Sequence, residues 1–122
     1  MRKKDFKGRC VKKNLSKCKV VCKTYDKIQT AYADILQADN DIKEIRCNVL
    51  LDNTDYTSDF VCVRESNEIM VRECVMRNHL TKPMTVNLLD FSRDYWTRRG
   101  VIDWGIVINE EWQTSACNRK TV

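Results

Sequence analysis

The sequence predicts an α/β protein with a mixed four-stranded sheet and flanking helices, its elements running α-β-β-β-α-β. Three observations predict it. Apolar residues recur at helical spacing in two separate stretches. Four further runs alternate in hydropathy or concentrate β-branched residues. The first three of these runs are joined by short polar loops, so they pair as a meander. The last strand–helix–strand unit needs a right-handed crossover and gives a parallel pair.

Each element has its own signal. Ile28, Ala31, Tyr32, Ile35 and Leu36 stand at i, i+3, i+4, i+7 and i+8, one stripe of an amphipathic helix. Val21 and Tyr25 extend the stripe backward, which places the helix start near Ser16, and Asp39-Asn40-Asp41 stops it. Ile45, Cys47, Val49 and Leu51 alternate with polar residues, the pattern of a half-buried strand. Asp52-Asn53-Thr54-Asp55 is a turn cluster. Tyr56 to Val63 is a second strand, Arg64 to Glu68 a polar loop, and Ile69 to Met76 a third strand interrupted by Arg72 and Glu73. Thr81-Lys82-Pro83 opens the second helix, with Pro suited to its first turn. Met84, Leu88, Phe91 and Tyr95 line one of its faces; Arg98 and Arg99 suit its negative end, and Gly100 caps it. Trp104 to Ile108 is the last strand, and the chain from Glu110 onward is polar.

A chain of 122 residues is about one domain's worth. Its charge is unevenly placed. The formal balance is +5, yet residues 1–23 carry +9, leaving −4 on the rest. The chain therefore divides into a basic N-terminal arm (1–23) and a single domain (24–122). A basic arm on a mildly acidic body is the footprint of phosphate-backbone binding, so DNA is the expected partner. The contacts fall to Lys3, Lys4, Lys7, Arg9, Lys12, Lys13, Lys17 and Lys19. The plainer alternative is a solubilising tail. No apolar run approaches the roughly 18 residues a membrane span needs, so no membrane partner is expected.

Of the seven cysteines, Cys47, Cys62 and Cys74 lie in apolar strand runs and read as small core residues. Cys10, Cys18 and Cys22 lie in the basic arm. No export signal is visible, so the thiols are expected to be reduced and the chain cytoplasmic. Zinc is not expected: no CxxC pair exists, and the lone His79 is far from the three arm cysteines in sequence. Three glycines exclude a phosphate-cradling P-loop, and a single histidine leaves little scope for Ser/His or Cys/His chemistry. Trp96 and Trp104 read as core; Trp112, in the polar tail, is the ring best placed to anchor a protein partner.

Two acids break the strand pattern. Asp59 and Glu73 sit mid-strand among apolar neighbours, and each is seven residues from Ser66, the centre of the connecting loop. A hairpin symmetric about Ser66 places them directly opposite, with Cβ atoms roughly 4.5–5.5 Å apart. Two carboxylates at that distance need a proton, a basic side chain or a divalent cation between them. Oxygen ligation suits Mg²⁺ or Mn²⁺. The structural alternative is that each acid faces solvent or pairs with Arg72 or Arg46.

The motifs Tyr56-Thr57-Ser58-Asp59-Phe60, Val71-Arg72-Glu73-Cys74-Val75 and Tyr95-Trp96-Thr97-Arg98-Arg99-Gly100, the last running into Trp104-Gly105-Ile106-Val107, occur in an order that resembles the PD-(D/E)xK restriction-endonuclease-like nucleases. The similarity is greatest to the N-terminal domain of TnsA-type transposase endonucleases; Gln29 to Leu36 in the first helix is also similar, and residues 24–110 are covered. The resemblance implies a DNA-binding protein of a mobile element or phage, cleaving phosphodiesters with Mg²⁺ or Mn²⁺ held by Asp59 and Glu73. Gln29 matches the position of a helix carboxylate, and Val75 stands where the family has its lysine. Arg77, on the strand parity of Glu73, could supply the missing cation, as could Lys82. Either a nuclease with a displaced cation results, or an inactive nuclease fold that serves as a DNA-binding, protein-interaction or inhibitor module.

Overall fold

The computed structural model describes residues 10–52, 54 and 56–108. Within them the chain runs β1 (Val11–Lys13), β2 (Cys22–Thr24), α1 (Lys27–Ala38), β3 (Ile42–Leu50), β4 (Thr57–Arg64), β5 (Ile69–Val75), a single 3₁₀ turn (Arg77–His79), α2 (Pro83–Arg98) and β6 (Asp103–Ile108). The main sheet has the order β3-β4-β5-β6, with β3/β4 and β4/β5 antiparallel and β5/β6 parallel, as the hydropathy pattern predicts.

The sheet is covered on both faces. Ile28, Ala33 and Leu36 of α1 pack on Ile45, Phe60, Cys62, Met70, Cys74 and Val107. On the other face, Leu88 of α2 packs with Leu51 and Tyr56, and Val61 and Val71 pack with Val101, Trp96 and Trp104. Strand alternation divides the two sets: Phe60, Cys62, Met70 and Cys74 face α1, and Val61 and Val71 face α2.

α1 starts at Lys27, eleven residues later than the start expected near Ser16. Two features override the extended stripe. β1 and β2 form a small antiparallel sheet, Val11 pairing with Thr24 and Lys13 with Cys22, which fixes this segment as extended chain. Asp26 then caps the helix, its side chain accepting from Gln29 N at 2.8 Å, while Gln29 Oε1 accepts from Tyr25 N at 2.8 Å. This reciprocal arrangement satisfies two amides that would otherwise lack partners. Val21 is accordingly exposed rather than part of the stripe. At the far end of α1, Lys17 Nζ donates to Leu36 O and Asp39 O, satisfying terminal carbonyls with a cation.

α2 begins with Pro83 and ends in a Schellman motif. Gly100 adopts φ +87°, Gly100 N donates to Thr97 O, and Val101 N reaches back to Trp96 O, each at 3.0 Å. Leu88 is buried and Phe91 and Tyr95 pack beside it as expected, but Met84 is 69% exposed, and the fully buried residues of α2 are Thr85, Leu88, Leu89 and Ser92.

Candidate functional site

The β4–β5 hairpin has the register expected from its loop. Phe60 pairs with Arg72, Val61 with Val71, Cys62 with Met70 and Val63 with Ile69; main-chain pairing ends at Phe60 and Arg72, just before Asp59 and Glu73. There the two side chains tie the strands together. Asp59 N donates to Glu73 Oε1 at 3.1 Å, and Cys74 N donates to Asp59 Oδ2 at 2.7 Å. Each acid thus bonds the main chain of the strand opposite.

Their second oxygens turn to different layers. Asp59 Oδ1 accepts from Gln29 Nε2 of α1 at 2.7 Å. Glu73 Oε2 accepts from Ser92 Oγ of α2 at 2.6 Å. Ser92 in turn accepts from Trp104 Nε1 at 3.0 Å and lies 3.5 Å from Ser58 Oγ, which accepts from Trp96 Nε1 at 2.9 Å. A continuous polar network therefore crosses the sheet from α1 to α2. Asp59, Glu73, Gln29, Ser58 and Ser92 are all at most 1% exposed.

The structure brings together three of the expected site residues, Gln29, Asp59 and Glu73. β5 ends at Val75, so strand parity does not carry to Arg77, which sits exposed in the 3₁₀ turn. Lys82 is the exposed residue preceding α2. Val75 is buried in the sheet. Arg72 serves elsewhere: its guanidinium reaches Asp103 at 2.8 Å, and Gly105 leaves it room, since a Cβ there would lie 3.4 Å from Arg72 Nη1. Arg64 joins it on Asp103 at 2.5 Å. Burial pushes the Asp103 carboxyl up, but the hydrogen bonds from Arg64 and Arg72 outweigh it and hold the group below its ordinary 3.8.

A divalent cation does not fit this donor set as folded. All four carboxylate oxygens accept a hydrogen bond, and Gln29, its own oxygen engaged by Tyr25 N, offers the pair an N–H rather than an oxygen ligand. Mg²⁺ and Mn²⁺ demand oxygen ligands in near-octahedral array with room for water. The arrangement suits an acid pair held by protein donors.

Sequence reasoning missed Ser58 and Ser92. The signal for Ser92 was its place on the i, i+3, i+4, i+7 row with Thr85, Leu88 and Leu89, a small polar residue on a buried face.

The basic arm is partly built into the fold. Lys13 pairs with Asp34 at 3.0 Å, and Lys17 caps α1, whereas Lys12 and Lys19 are exposed. Lys3, Lys4, Lys7 and Arg9 lie outside the described residues, as do Trp112 and the seventh cysteine, Cys117. The expectation of uniformly reduced cysteines is corrected: Cys22 of β2 and Cys47 of β3 form a disulfide, with Cα atoms 5.8 Å apart. Cys47 is half-buried beside β2 rather than a sealed core residue, because the small sheet lies across that end of β3. Among the described residues no helix is long and apolar enough to cross a membrane.

No protein-family model and no curated protein matches this chain.

Proposed function

We propose that this protein binds DNA through the basic residues of its N-terminal segment, on a restriction-endonuclease-like core whose Asp59–Glu73 pair acts as a structural tie. The observation that carries the binding reading is the concentration of +9 on residues 1–23 against −4 elsewhere, with Lys12 and Lys19 exposed among the described residues. The closed hydrogen bonding of the acid pair supports the non-catalytic reading of the core.

The test is duplex binding followed by fluorescence anisotropy between about 50 and 200 mM salt, where log K should fall linearly with log salt by about 0.9 per phosphate neutralised. Removing residues 1–9 should weaken binding and flatten that slope. A full chain that binds no DNA, or a truncation that binds with the same slope, overturns the proposal. The cut stops at residue 9 because Val11–Lys13 is a strand and Leu15 packs on the core.

The meeting of Gln29, Asp59 and Glu73 favours a second reading, a Mg²⁺- or Mn²⁺-dependent endonuclease whose site rearranges on DNA. Nicking of supercoiled plasmid by the wild type with Mn²⁺, abolished in a folded Asp59→Asn variant, would establish it in place of the first. Absence of nicking alongside DNA binding retains the first.

A further inference from the structure

We propose that Cys18, Cys22 and Cys47 form a three-thiolate site for a thiophilic metal ion, taken here as zinc, in the reduced protein. Their sulfurs all lie within 4.8 Å of one another, and no other group of three or more potential Cys, His, Asp or Glu ligands gathers among the described residues. Tetrahedral zinc with Zn–S bonds of about 2.3 Å places neighbouring sulfurs about 3.8 Å apart. Cys18 Sγ and Cys47 Sγ, at 4.0 Å, already stand at that spacing. Only the Cys22–Cys47 bond must open.

The main chain holds the three sulfurs in place. Ile45 N donates to Lys17 O at 2.9 Å, pinning the loop just before Cys18 to β3. Asn48 Nδ2 donates to Lys23 O at 2.7 Å, pinning the chain just after Cys22 to the same strand. The two bonds bracket the sulfurs, so the donors do not depend on a flexible excursion. A cavity of about 280 Å³ borders all three cysteines, with Lys19, Glu44 and Arg46 on its wall. It leaves the fourth coordination position approachable by water. Three thiolates on Zn²⁺ leave one net negative charge; Arg46 is paired with Glu44 at 2.8 Å, so Lys19 is the cation on the wall that offsets it.

A thiol reductant supplies two electrons and two protons to the Cys22–Cys47 bond and becomes a disulfide itself. Zn²⁺ then forms three Zn–S bonds and displaces three protons. The disulfide and the ion compete for the same sulfurs, so each state excludes the other.

The test uses the full chain, reduced by a phosphine and titrated with Co²⁺ and then Zn²⁺. One Co²⁺ per chain with thiolate-to-metal absorption, displaced by Zn²⁺, is expected. Iodoacetamide mapping of the unaltered protein should show Zn²⁺ protecting Cys18, Cys22 and Cys47 while Cys10 stays reactive. Cys18→Ser should weaken binding at least about 100-fold, beyond what loss of an outer-shell partner does, and Cys10→Ser should not. Absence of binding, protection that omits Cys18, or unchanged affinity in Cys18→Ser overturns the proposal. The footprint on the unaltered chain decides the matter even where a variant folds poorly.

Discussion

Ser92 carries more of the buried polar network than its size suggests. Its hydroxyl donates to Glu73 Oε2 and accepts from Trp104 Nε1. Ser92→Ala removes both bonds, and losing a hydrogen-bond partner of a buried polar group costs about 1–3 kcal/mol. Urea unfolding should therefore show a clear loss of stability; a change within about 0.5 kcal/mol, the usual range for a surface substitution, would mean the network is not structural. Asp103 gives a pH-dependent counterpart. Its folded-state carboxyl is held below the ordinary 3.8 by Arg64 and Arg72, so its contribution is fully present above that value and is lost as pH falls through the depressed one. The stability gap between wild type and Asp103→Asn should be constant at neutral pH and close as the solution is acidified below the ordinary carboxylate range, as urea midpoints will show. Burial pushes the Cys62 thiol up to about 12, so that thiol should resist alkylation in native protein and react only on unfolding.

The two helices depend on their ends. Asp26→Ala removes the cap on Gln29 N and should cost about 0.5–2 kcal/mol in thermal or urea unfolding. Gly100→Ala is a cleaner case. A Cβ there meets nothing within 4 Å, so its cost is purely that of a left-handed backbone, about 1–2 kcal/mol, and Gly100→Asn should cost less. These ends also show what the sequence could reveal. Gly100 and Pro83 were legible because each residue admits few backbone states. The β4–β5 register was legible because a short loop centred on Ser66 leaves one symmetric pairing, and Asp59 and Glu73 followed from it. The start of α1 was not, because Val21 and Tyr25 happen to continue the apolar spacing into a segment that β1 holds extended. The signal that competes with them, Asp26 followed three residues on by Gln29, is local and outweighs periodicity at a helix start. That same Gln29 looks like a ligand by position, yet it is bound by its own helix terminus, a role only the fold displays.

Across the molecule, charge and structure divide the basic segment into two parts. Lys13 and Lys17 are committed to α1, while Lys12 and Lys19 face solvent. Lys12→Glu and Lys19→Glu should therefore weaken DNA binding and reduce its salt slope without shifting the unfolding midpoint, whereas Lys17→Ala should lower the midpoint by removing a helix-terminal cation, an effect of about 0.3–1 kcal/mol. The sheet order was readable from the whole chain, since two short loops and one crossover admit few topologies. The thiol cluster was not, because Cys47 lies 25 residues from Cys22 and only the folding of β2 over β3 makes them neighbours. That link has a topological consequence. Residues 22–47 close a covalent ring that contains all of α1. A single peptide cut anywhere within the ring leaves the two pieces joined, migrating as one band without reductant and as two with it. The helix that supplies Gln29 can thus be severed from its own backbone neighbours and still remain moored to the sheet.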